Sequence, residues 1–277
     1  MYFARVLAAA AAIALALMSP AFAAEPAAWQ KASQLVDKTW ADVRSNGILA
    51  VKPHVSDIEQ ALADGKQTGT RVTSGDTVYI LTDGTADSLA AMTGATMGAD
   101  AAHGVTKSVS VANPYPMLSL LLGSYYDEIG QSADALRVLD AGLALLDSGG
   151  PVAGLSEHRP GLLIERGEAL MALHRFADAL ADFDEGLKTQ SLDPKLKAHM
   201  LRGRGFALTE LGRLDDAEKS YRDSLAIEPG NPTAEHELAY IATLRAGGKP
   251  TAPGIKPLQP APQQQQGSSP GHKPSGQ

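Results

Sequence analysis

A chain of 277 residues with a net charge of −7 offers no clustered basic surface to neutralise phosphates, which argues against nucleic acid as a partner. Aromatic residues make up only 5% of it, so a core must be built mainly from Ala and Leu, the strongest helix formers. It contains no cysteine, which excludes disulfides, thiolate metal sites and lipidation at a thiol.

The first residues read as a targeting leader. Arg5 supplies the positive charge, Val6 to Met18 is uninterrupted and apolar, and Ala21-Phe22-Ala23 offers small residues for cleavage after residue 23. Such a run spans roughly 20 Å as a helix, short of the roughly 30 Å hydrocarbon core, so no stable membrane span is expected after cleavage. A leader without cysteines fits a bacterial periplasm best, with secretion as the lesser option.

Residues 24–113 predict a small helical or α+β segment. Trp29, Ala32, Val36, Trp40 and Val43 recur at helical spacing up to Asn46-Gly47. Ser56 with Glu59 reads as a capping box for a short helix that Gly65 stops. Arg71–Thr73 and Thr77–Thr82 flank Ser74-Gly75-Asp76 as a hairpin, and Val105, Val109 and Val111 alternate as a half-exposed strand. A further short helix over Ala86–Met92 and a mobile loop over Gly94–Gly104 complete the segment. After the break at Asn113–Pro116 the pattern over 114–246 is helix-turn-helix throughout. The tail over 247–277 holds seven of the chain's seventeen prolines and the run Gln263–Gln266, and is expected to be disordered.

The middle region repeats itself. Arg166-Gly167-x-Ala169-Leu170 leads to Ala179 and Phe183; Arg204-Gly205-x-Ala207-Leu208 leads to Ala217 and Tyr221, each at an offset of 38 (205 − 167). The second copy, Ala198–Asn231, closes with Pro229. Gly123, Tyr126, Gly130, Ala135, Gly142 and Leu143 form an earlier, weaker copy in which Leu139 replaces the aromatic. These spacings resemble the tetratricopeptide repeat. The resemblance implies a mainly α fold, a right-handed superhelix of antiparallel helix pairs, with copies over about 117–147, 160–193 and 198–231 and a capping helix over 232–245. Gly205 and Ala217 then mark the close approach of two helices, and Tyr221 fills the gap to the next repeat.

In this family the first helix of each pair lines a concave groove that binds protein segments. Carried over, the groove positions are Leu120, Ser124, Asp127 and Glu128; Ile164, Glu168, Met171 and Ala172; His199, Arg202, Phe206, Thr209 and Glu210; and His236 and Tyr240 from the cap. Arg202, Phe206, His236 and Tyr240 are the sharper candidates, because Arg and aromatics anchor interfaces. The competing reading pairs Arg202 with a local acid and packs Phe206 inside. Leu120, Ser124 and Glu168 stand where a clamp for a terminal carboxylate would need basic or amide groups.

No catalytic or cofactor motif is present, and no two histidines share ligand spacing, so neither metal, cofactor nor enzymatic activity is expected. Turn residues Thr82-Asp83-Gly84 allow an Asp83–His103 pair, which nothing in the sequence fixes. The expected function is a periplasmic scaffold that binds an envelope protein. The alternatives are an enzymatic or ligand-binding segment over 24–113 that the repeats recruit, and self-association through the repeats. The Pro/Gln tail would act as a tether or a second weak binding segment.

Overall fold

The computed structural model describes residues 25–84, 88–89, 104–148, 156–189 and 192–248. The leader, most of 86–92, the stretch 94–103 and the tail from 249 lie outside the described residues.

The chain begins with α1 (Ala27–Asn46), which ends where Gly47 takes φ 78°, as the Asn-Gly pair predicts. A 3₁₀ turn over Ile48–His54 leads into α2 (Val55–Thr68). The capping box does not form. The helix starts one residue before Ser56, with His54 at the cap and no side-chain bond there. Nor does Gly65 end the helix, which continues to Gly69 at φ 75°. Gly65 is required for another reason: a Cβ there would lie 2.4 Å from the Tyr115 ring. Trp29, fully buried, ties the two helices together by donating from Nε1 to the Gly69 carbonyl at 3.2 Å.

The expected hairpin is present: β1 (Arg71–Ser74) pairs antiparallel with β2 (Thr77–Thr82), Ser74 opposite Thr77. β3 (Lys107–Ala112) joins β2 in parallel, Val109 opposite Tyr79. Every residue of β2 is buried, while Val109 on the outer strand is 38% exposed. The apolar core runs without interruption from Trp29, Leu35 and Ile58 through Tyr115 and Leu118 to Leu162 and Leu163.

The rest is a tetratricopeptide-like solenoid of antiparallel helix pairs: α3 (Tyr115–Glu128) with α4 (Ser132–Asp147), α5 (Arg159–Ala172) with α6 (Phe176–Gly186), and α7 (Pro194–Glu210) with α8 (Leu214–Ile227). The single helix α9 (Pro232–Arg245) closes it. Asp193 and Asn231 cap α7 and α9, each followed by the proline that best tolerates a first helical position. The turn inside each pair needs a left-handed residue. Gly130 and Gly212 supply it at φ 75° and 73°, and His174 takes φ 58° in the equivalent place.

The repeat is held by a side chain of each second helix lying on a glycine of the first. A Cβ at Gly123 would meet Leu139 at 2.7 Å, one at Gly167 would meet Phe183 at 2.7 Å, and one at Gly205 would meet Tyr221 at 2.9 Å. Phe183 also reaches the next repeat, 2.4 Å from a Cβ at Gly203. Thus the ring both seals its own pair and joins it to the next. The Arg-Gly arginines add a polar seam: Arg166 is bidentate to Asp182 at 2.7 and 2.6 Å and reaches back to Asp140, while Arg204 binds Ser220 and reaches back to Asp184.

Gly203→Ala is therefore expected to destabilise the chain by about 1–3 kcal/mol despite the better helix propensity of Ala, because the buried Phe183 ring has nowhere to move. Gly161→Ala, where the nearest atoms stand 3.6 Å away, should stabilise by about 0.5–1 kcal/mol. Urea unfolding of both variants checks this pair of opposite signs.

Candidate binding groove

Successive first helices α3, α5, α7 and α9 pack directly on one another, whereas the second helices make no comparable contact. The stack therefore curls with its first helices inside, and their free faces form the concave surface.

Carboxylates dominate that surface. Asp127 from α3 and Glu165 and Glu168 from α5 interact with one another and with His199 of α7. The Ser124 hydroxyl donates to Glu165 Oε2 at 2.7 Å, and His199 Nε2 lies 2.5 Å from Glu168 Oε1. Burial, reinforced by the charge of Glu168, pushes Glu165 up to about 7 and Asp127 up to about 6. The bond to Glu168 raises His199 in turn. Further along, burial and the charge of Glu237 raise Glu210. No Lys or Arg of the described residues forms an ion pair with Asp127, Glu165, Glu168, Glu210 or Glu237.

The expected groove residues divide. Asp127, Glu168, His199 and Glu210 come together in this strip. Phe206 is half-buried, its ring 6.3 Å from that of Phe176, which in turn meets His174 edge-on at 5.7 Å. Arg202 follows the competing reading: its guanidinium turns to Glu228 and to Ser224 on α8, where its charge is already matched. Met171 packs against the apolar core beside Ile164, and Thr209 is buried with its hydroxyl on the Gly205 carbonyl. His236 is solvent-facing, 3.6 Å from Glu237, and Tyr240 is half-buried.

Glu165 and Glu237 were missing from the sequence-based set. Both stand sixth in their repeat units, counting Pro160 and Pro232 as first, and that recurrence was a usable signal. Its significance depends on neighbouring helices, which a single helix pattern does not show.

Outside the groove, Asp83 pairs with His158 at the start of α5; His103, the partner the sequence allowed, lies outside the described residues. His158 Nδ1 lies 2.5 Å from Asp83 Oδ1, its backbone N–H donates to Oδ2 at 3.2 Å, and the Ser156 hydroxyl also binds Oδ2. Burial alone would raise the Asp83 carboxyl, but His158 and Ser156 outweigh it and hold it below its ordinary value. The Ser156 hydroxyl engages the carboxylate rather than the imidazole, so the set fastens β2 to α5 and does not build a nucleophile. A cleft of about 470 Å³ between α2 and α4 is lined by Leu62, Ala63, Val138 and Ala141, with the Glu59–Arg137 ion pair at its rim. Glu59 and Arg137 satisfy each other, and Lys66 also lines the cleft. Among the described residues no three acid or imidazole groups are placed to hold a metal, and no helix is long and apolar enough to cross a membrane.

No protein-family model matches this chain, and no curated protein matches it. Twenty-five chains of solved structures do. The first TPR domain of human RPAP3 is 25% identical over 48% of this chain and 94% of its own, with a TM-score of 0.41. The second TPR domain of human RPAP3, solved in complex with the HSP70 peptide SGPTIEEVD, is 23% identical over 46% and 98%, with a TM-score of 0.38. A kinesin light chain of nearly identical TPR-like repeats from Podosopora anserina is 15% identical over 81% and 90%, with a TM-score of 0.47.

A carboxyl raised on folding takes up a proton, so Glu165 lowers stability as pH rises from about 4.5 to about 7 and keeps it low above that. Glu165→Gln is expected to be more stable than the parent by about 1–3 kcal/mol at pH 8, with the difference vanishing near pH 4. Urea unfolding at the two pH values measures it.

Proposed function

We propose that this chain is a protein-interaction scaffold whose concave groove takes a segment of another protein, and that it works in a bacterial periplasm with an envelope protein as partner. The observation that carries the binding reading is the strip of carboxylates on successive first helices. Folding concentrates these charges, raises the proton affinity of Asp127, Glu165 and Glu210, and gives the strip no Lys or Arg ion pair among the described residues. Such an arrangement is costly for stability and is characteristic of surfaces kept for a ligand. The solenoid supplies the matching shape: a rigid curved wall on which groups spaced along four helices can be met by one extended segment. Asp127, Glu165, Glu168, His199, Phe206, Glu210 and Glu237 are the residues of this site. Arg202 holds the α7–α8 pair together and does not anchor the partner. The compartment is supported by the leader pattern over 1–23 and by the absence of cysteine.

In-cell crosslinking followed by affinity capture tests the reading, comparing the parent chain with Glu165→Lys/Glu168→Lys and with the control Asp223→Lys on the exposed face of α8. The groove variant should lose a partner that the control retains, with helicity unchanged in both. Equal capture by all three chains would overturn the groove assignment.

A further inference from the structure

The carboxylate strip is not uniform. It has two centres. The first is Asp127, Glu165 and Glu168, with Ser124 and His199 at its edge. The second is Glu210 with Glu237 across the α7–α9 contact, where burial and the Glu237 charge raise Glu210. On α7, Phe206 stands in sequence between His199 and Glu210, its ring 6.3 Å from that of Phe176. Arg202, whose charge acts on His199, is turned to Glu228 and Ser224.

An independent observation marks the second centre. Tyr221 is 1% exposed, its ring lies over Gly205, and its hydroxyl makes no hydrogen bond of full geometry to any neighbour. That hydroxyl is directed toward Thr209 and Glu237, with the charge of Glu210 also acting on it. A buried phenol whose contacts fall short of hydrogen-bond geometry loses part of that free energy, which an incoming donor beside Glu237 would restore.

From these features, and resting on the groove reading above, we infer that the bound segment is basic and extended, placing one Lys or Arg side chain among Asp127, Glu165 and Glu168 and a second between Glu210 and Glu237 beside Tyr221. Helices pack about 8–10 Å apart, so the two centres lie roughly 15–20 Å from each other along the groove. An extended chain rises about 3.3 Å per residue, which places the two basic residues about five or six positions apart. The Phe206 and Phe176 rings take the intervening apolar side chains. An acidic or carboxylate-terminated segment is repelled at both centres.

The occupancy is pH-dependent. Glu165 is faced by Asp127 and Ser124 from α3, by Glu168 from its own helix, and by His199 from α7, on which the Arg202 charge also acts. Glu210 is faced by Glu237 from α9 and by His174 from the α5–α6 turn. Acidification neutralises Asp127, Glu165 and Glu210, whose carboxyls are raised, and charges His199, so both changes weaken attraction for a cation.

The test uses the chain with its leader removed and a dye-labelled dodecapeptide of Ala and Ser that carries two Lys six positions apart, beside a twin with Glu at both places. Fluorescence anisotropy should show the Lys peptide binding at least tenfold more tightly than its twin. Its affinity should fall severalfold between pH 8 and pH 5.5, and again on adding salt. Glu165→Gln and Glu237→Gln should each weaken it severalfold, with Asp223→Asn unchanged. Equal binding of the twin, or equal weakening by Asp223→Asn, overturns the inference. If the Lys peptide fails to bind while in-cell capture is still lost in the groove variant, the groove stands and its basic occupant does not. Zero-length carboxyl–amine coupling supplies the remaining outcome: joining Lys249, Lys256 or Lys273 to groove carboxylates within one chain would make the occupant the chain's own tail and overturn the assignment to a partner.

Discussion

The solenoid depends on a ring laid over a glycine. Phe183 over Gly167 and Tyr221 over Gly205 bring two helices closer than any side chain at those glycines would allow, and Phe183 also touches Gly203 of the following pair. A contact that serves two repeats at once removes the choice of how one pair sits on the next. The curl of the stack, and with it the concave face, follows from that small set of apolar contacts. Charges far apart in sequence, such as Asp127, Glu165 and His199, become neighbours because the glycines let the helices approach.

This account explains which features could be read before the fold was known. A glycine that admits an aromatic must recur at a fixed offset from it, so the repeat, the pairs and the closing helix are legible from Gly167, Gly205, Phe183, Tyr221 and Pro232. The hairpin around Gly75 was legible for a similar local reason. The capping box at Ser56 was not realised, because the 3₁₀ turn before it already delivers the chain in helical geometry. The role of Gly65 was invisible as well, since the Tyr115 ring that needs it arrives from fifty residues away. The His158 partner of Asp83 was missed because 75 residues separate them.

The groove residues show the same division. The resemblance to the tetratricopeptide repeat implied Asp127, Glu168, His199, Phe206 and Glu210 as groove positions. It did not reveal that Arg202 is matched by Glu228, or that Glu165 and Glu237 complete the strip, because those facts are set between helices. The chemistry that results is opposite in sign to that first suggested by Arg202. An arginine anchor would favour an acidic partner, whereas the carboxylate strip, as we propose it works, favours a cation. The stability given up by crowding carboxylates on the inner face is the counterpart of this preference, and a basic segment would restore it on binding.

The most direct measurement is the number of protons exchanged when the Lys dodecapeptide binds at pH 6.5, obtained by titration calorimetry in two buffers of different ionisation enthalpy. Glu165 and Asp127, raised to about 7 and about 6, are partly protonated there and must ionise to meet a cation. The account predicts net proton release on binding, abolished in a Glu165→Gln/Asp127→Asn variant. Binding with no proton released, or release that survives in that variant, would contradict it.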